Sequence, residues 1–103
     1  MEILSYRFEH GTRVLPAQAR LVGVVGSGNL EVLIESVPQG GACSIEVTTM
    51  AVGFGLTWEA VMQDFHARWQ LADARIAIND VGATPAVVSL RLDQAVQTML
   101  GEP

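Results

Sequence analysis

Four short segments of this chain alternate apolar with polar side chains, and that alternation commits the chain to a sheet. Leu4, Tyr6 and Phe8 alternate with Ser5 and Arg7, and Leu30, Val32 and Ile34 point away from Glu31 and Glu35, with Leu33 interrupting the pattern. Ile45, Val47 and Thr49 alternate with Ser44, Glu46 and Thr48, and Ala74, Ile76 and Ile78 alternate with Arg75 and Asn79. A period of two sends successive side chains to opposite faces, so each segment reads as a strand buried on one side. The valine-rich run from Arg20 to Val25 adds another strand. Pro38, Gly40 and Gly41 mark a turn, and the stretch His10 to Gln18, with Gly11 and Pro16, reads as a loop.

After a connection bearing Gly53 and Gly55 the period changes. Trp58, Val61, Met62, Phe65 and Trp69 recur at helical spacing, which predicts one amphipathic helix with Thr57 as its N-cap and both tryptophans in the core. Asn79, Asp80, Gly82 and Pro85 then read as a turn. Val88, Leu90 and Leu92 alternate with Ser89 and Arg91 as a sixth strand, followed by a short helix that Asp93 caps and whose apolar face is Val96, Met99 and Leu100. The other reading of this segment is a single helix opened by Pro85 and capped by Thr84. The expected architecture is one α+β domain over residues 1–103. It is a two-layer sandwich, a mainly antiparallel sheet of about five or six strands covered by one or two helices.

Composition narrows the function. Half the residues are hydrophobic and 17% are charged, which excludes disorder as the main state. Eleven acids face six arginines and no lysine, a net charge of -5 that makes nucleic acid and anionic membrane poor partners. The longest uncharged stretch, Val47 to Trp58, is too short to span a bilayer. A single cysteine, Cys43, excludes an internal disulfide and a zinc site built from several cysteines, and it reads as a small buried residue. His10 has no visible partner, and Asp64 and His66 lie two apart on the helix and read as solvated, so no metal site is expected. The start of the chain lacks the basic-then-apolar pattern of a secretory signal, and the expectation is a soluble cytoplasmic protein.

The most informative segment is Val25-Gly26-Ser27-Gly28-Asn29-Leu30-Glu31-Val32-Leu33-Ile34-Glu35. Gly26, Ser27, Gly28 and Asn29 fall between two strands and tolerate positive φ, so they read as a tight hairpin turn. Ser27 is expected at its exposed tip, where Gly26 and Gly28 leave room for a bulky group on the hydroxyl. The same serine is also what an ordinary turn would choose for its backbone hydrogen bonds. No activated Ser–His–acid arrangement accompanies it, so an independent enzyme is not expected.

This segment resembles the acyl carrier protein, or delta subunit, of malonate decarboxylase, whose members show a Val-Gly-Ser-Gly-Asp-Leu-Glu-Val-Leu pattern; Asn29 stands where that pattern has aspartate. A second block, Asn79-Asp80-Val81-Gly82-Ala83-Thr84-Pro85 followed by Val87, Val88, Leu90, Arg91 and Leu92, is similar to an Asp-x-Gly-Ala-Thr-Pro run in the same family. In this block Gly82, Thr84 and Pro85 read as residues that fix a turn. The resemblance implies a carrier without catalytic residues of its own. It implies phosphoribosyl-dephospho-CoA joined to Ser27 through a phosphodiester, with Gly26 and Gly28 flanking the attachment, and acetyl and then malonyl carried on the thiol of that group. The implied partners are the acyltransferase and decarboxylase subunits and a prosthetic-group transferase. Two alternatives stand beside it: a citrate lyase-type carrier with the same kind of group, and a non-covalent adaptor subunit in which Ser27 is a turn residue. Helical carriers of the fatty-acid type present an Asp-Ser-Leu motif, which this chain lacks.

Overall fold

The period-two segments become strands of one five-stranded sheet. The computed structural model describes residues 1–23 and 29–101. The strands are β1 (Glu2–Phe8), β3 (Ala19–Gly23), β4 (Asn29–Ser36), β5 (Cys43–Thr49) and β7 (Ala74–Val81), in spatial order β1-β5-β7-β4-β3. Two-residue strands β2 (Arg13–Val14) and β6 (Leu71–Ala72) pair in parallel beside it, so the expected loop from His10 to Gln18 carries a short strand. The helices are α1 (Gly55–Trp69) and α2 (Pro85–Met99). The hairpin tip expected at Gly26–Ser27–Gly28, and the end of the strand expected to reach Val25, lie outside the described residues.

The α+β sandwich with a mainly antiparallel sheet is as expected, and one central pair is parallel. β1 pairs antiparallel with β5, and β4 pairs antiparallel with both β3 and β7, while β5 and β7 run parallel at the centre. Parallel neighbours need a crossover, and α1 with β6 supplies it. Both helices cover the same face: α2 lies over β4 and β3, α1 lies toward β1, and the helices touch each other. The covered face supplies Leu30, Val32, Ile34, Ile45, Val47, Ile76 and Ile78, each at most 2% exposed. The opposite face is the wet one, with Arg75 paired to Glu35 at 3.2 Å and Asn79 donating to Glu31 at 3.3 Å.

Between β4 and β5 the expected turn is tied down by Asp73. Its carboxylate accepts the backbone N–H groups of Gln39 and Gly41, both at 2.9 Å, and these bonds hold it below the ordinary carboxylate range.

Three local expectations are corrected. First, α1 starts at Gly55, so Thr57 lies inside the helix and is not its cap; Phe54 holds the N-cap position and its carbonyl accepts from the Trp58 N–H at 3.0 Å, with no side-chain cap. Second, Asn79 and Asp80 belong to β7. They pair with Glu31 and Leu30 of β4 and with Thr48 and Thr49 of β5, so the strand continues past the residues that read as a turn. Third, residues 88–92 are helix. Thr84 caps α2 by accepting from the Val87 N–H at 3.4 Å, Pro85 opens it, and Asp93 caps nothing. Val88, Leu92, Ala95, Val96 and Met99 form its buried stripe, and Leu90 points outward at 52% exposure.

Of the two tryptophans, Trp58 is buried in the core, and Trp69 sits at its margin. The Trp69 indole N–H donates to Asp93 at 2.8 Å, and the Arg13 guanidinium lies 5.5 Å over its ring. Asp64 is exposed and pairs with Arg68 at 2.9 Å, as its solvated reading requires. His66 departs from that reading. Its ring stacks on Phe8 with centroids 4.5 Å apart, its Nδ1 is buried without a hydrogen-bond partner, and burial lowers its pKa from 6.5.

Two outcomes follow from this packing. Leu92→Ala should cost about 2–5 kcal/mol in denaturant unfolding because it opens a cavity, whereas Leu90→Ala should stay within about 0.5 kcal/mol; equal losses would restore the strand reading. Because the folded protein disfavours protonated His66, the unfolded chain binds the proton first. Stability from this site is therefore complete above pH 6.5 and declines as the pH falls below it, levelling off beneath the lowered folded-state pKa. The substitution His66→Phe keeps the stack and should remove that part of the decline, read from unfolding curves across pH.

Candidate functional site

Residues 24–28, which include Ser27, follow β3 and precede β4 in the sequence, and the strand ends on either side are described. Gly23 adopts φ +96, and a Cβ there would stand 2.3 Å from the Leu30 carbonyl oxygen, so only glycine fits. Asn29, expected in the turn, is the first residue of β4. It pairs with Val81 and bridges Gly82. Its Oδ1 accepts from its neighbour Leu30 N–H at 2.8 Å and from Arg91 Nε of α2 at 3.4 Å, while Arg91 Nη1 donates to Gln94 Oε1 at 2.9 Å. A cation on α2 thus stands at the base of the connection, bonded to neutral amides. Ser27, Gly26 and Gly28 themselves lie outside the described residues.

The second motif block sits directly against this base. Asp80 is 3% exposed and its carboxylate is enclosed by donors. Oδ2 accepts the Thr49 hydroxyl at 2.8 Å and the Gly82 N–H at 3.3 Å, and Oδ1 accepts the Ala83 N–H at 2.9 Å. Gly82 turns the chain at φ +84, a left-handed conformation, and Thr84 and Pro85 then start α2. Gly82, Thr84 and Pro85 fix a turn, as their sequence suggested. Through Asn29, the two blocks that carry the family resemblance become neighbours in space.

The sequence reading did not single out Gly23, placed Thr49 and Arg91 on strands without giving them a role at the site, and took Asp80 for a turn residue. The Asp-x-Gly spacing was the available signal, since an aspartate readily accepts from the N–H two residues on.

Beside Asp80 lies an apolar cavity of about 180 Å³ between the first turns of the two helices. Trp58, Val61, Ala83 and Val88 line it together with Phe54, which is 54% exposed. Met50, Val52 and Leu56, all in or next to the β5–α1 connection, are more than half exposed.

The other candidates lie elsewhere. Cys43 is 1% exposed and burial pushes its thiol up to about 12, so it is protonated and shielded at neutral pH, matching its reading as a buried packing residue. His10 is exposed at φ +60. Among the described residues, no three His, Cys, Asp or Glu side chains are grouped to hold a metal ion, and no helix is long and apolar enough to cross a membrane.

Comparison with known proteins places this geometry in a family. Residues 17–99 match the family model described as ACP, malonate decarboxylase delta subunit (MdcD). The chain is 61% identical to the malonate decarboxylase acyl carrier protein of Xanthomonas campestris pv. campestris (strain B100), with 98% of this chain and 97% of that protein covered. It is 59% identical to the protein of the same name from Stenotrophomonas maltophilia (strain K279a), covering 100% and 99%. Among solved structures it superposes with a TM-score of 0.86 on a chain of a Pseudomonas malonate decarboxylase hetero-tetramer in complex with malonate, at 38% identity and with 96% and 99% of the two chains covered. A match over most of the chain, with relatives this similar end to end, means that the chain belongs to the malonate decarboxylase acyl carrier (delta subunit) family.

Proposed function

We infer that this subunit works as a covalent tether: it bears phosphoribosyl-dephospho-CoA on Ser27 through a phosphodiester, flanked by Gly26 and Gly28. That group supplies a thiol on which acetyl and malonyl travel as thioesters between an acyltransferase and a decarboxylase subunit. The polypeptide contributes anchoring, and tethering raises the effective concentration of the cargo at each partner site. Ser27 is an attachment point and takes no part in the acyl exchange.

The observation that carries this reading is the junction at Asn29, where the Ser27-bearing connection and the Asp80–Pro85 turn share one end of the sheet. Its chemistry suits the group. Arg91 is bonded there only to neutral amides among the described residues, so its fixed charge favours a phosphodiester anion nearby. Gly23 clears side-chain bulk from the strand end. The exposed apolar residues Met50, Val52, Phe54 and Leu56 give partner subunits a surface to bury. The prosthetic-group transferase is a further partner, and the assembly is expected in the cytoplasm.

Intact-mass measurement of the chain from an active complex should show one added phosphoribosyl-dephospho-CoA, mapped to Ser27 by peptide fragmentation. Ser27→Ala should abolish both the added mass and malonate-dependent activity while unfolding within about 0.5 kcal/mol of the parent chain. An unmodified chain in an active complex, or an active Ser27→Ala complex, would favour the non-covalent adaptor. The unmodified folded chain should also be inert to an aromatic disulfide reagent until denatured, because Cys43 is buried with its thiol raised to about 12; a fast-reacting thiol in the unmodified chain would show that the core around Cys43 is open.

A further inference from the structure

We propose that the apolar cavity between the helix starts is a resting site for the uncharged sulfur end of the arm, its free thiol or acetyl thioester, and that the malonyl form stays out. This rests on the reading that Ser27 bears the arm. The cavity, at about 180 Å³, is the size of apolar cavities of about 150 Å³ that take up benzene. Trp58, Val61, Ala83 and Val88 give it apolar walls, and the exposure of Phe54 opens it to the surface.

Reach is settled by connectivity. Ser27 precedes Asn29 by two residues in the sequence, each step at most about 3.8 Å, and Asn29 bridges Gly82. Gly82 lines the cavity, and a pantetheine chain is longer than two such steps. The arm is tied to the same end of the sheet as the cavity, which makes occupancy intramolecular.

Selectivity follows from the lining. Asp80 places one carboxylate at the cavity, and no cationic side chain is among its described lining residues. A malonyl carboxylate would enter apolar surroundings without a counter-charge and beside a like charge, whereas a thiol or acetyl thioester loses little water on entry. The acetyl form is therefore sheltered and the malonyl form held in solvent, where a partner subunit meets it.

The test uses the full-length chain carrying its arm, with the added mass confirmed first. In NMR spectra, loading with acetyl should shift the Trp58 indole signal and the Ala83 and Val88 methyl signals relative to the unmodified chain, and loading with malonyl should return them to the unmodified positions. The free thiol should alkylate with iodoacetamide about tenfold more slowly than in Ala83→Phe, which fills the cavity, if the arm spends nine-tenths of its time inside. Val61→Phe, a second filling variant, should give the same acceleration if Ala83→Phe does not fold. A chain that carries the added mass yet shows unshifted cavity signals and no acceleration on filling overturns the resting site. Equal shifts with acetyl and malonyl overturn the selectivity. Absence of the added mass overturns the Ser27 reading instead.

Discussion

Asp80 carries a carboxylate into an interior position, and three donors make that tolerable: the Thr49 hydroxyl on the neighbouring strand and the N–H groups of Gly82 and Ala83. A buried polar group without such partners costs more than the fold gains by ordering it. Satisfying it dictates geometry. The Thr49 bond joins the ends of β5 and β7, and the two backbone bonds turn the chain from β7 toward α2. The bridge to Asn29, the cap of α2 and the walls of the cavity all depend on that turn.

The central parallel pair has a related consequence. Since β5 and β7 run the same way, the start of α1 and the start of α2 both lie near their carboxyl ends, where open α/β sheets place ligands. The cavity and the exposed residues of the β5–α1 connection occupy that end, and so does the junction of β3 with β4. The opposite end is occupied by the Asp73-held turn and the β2–β6 pair, which close the structure.

Much of this was legible in the residues. Alternation located β1, β4, β5 and the first part of β7, because each buries a single face. Helical spacing located α1. Val88 and Leu92 misled because they lie one side of a strand and also four apart on a helix; the stripe continuing through Ala95, Val96 and Met99, with Thr84 and Pro85 ahead of it, separates the two cases. The parallel pairing of β5 with β7 was readable only in the strand–helix–strand order around α1, since alternation within a strand does not give its direction relative to its neighbour. Asp80 read as a turn residue and not as a buried carboxylate, because its burial depends on Thr49, which lies 31 positions away. Ser27 was singled out by its motif alone, and it lies outside the described residues.

Cys43 has a last consequence for any thioester held near this fold. Acyl groups pass readily between sulfurs, and a polypeptide thiolate within range of the cargo would divert it into a dead-end self-acylated form. With its sulfur buried in the core and its thiol pushed up to about 12, Cys43 is no such competitor. The scaffold is chemically silent toward the freight it would move.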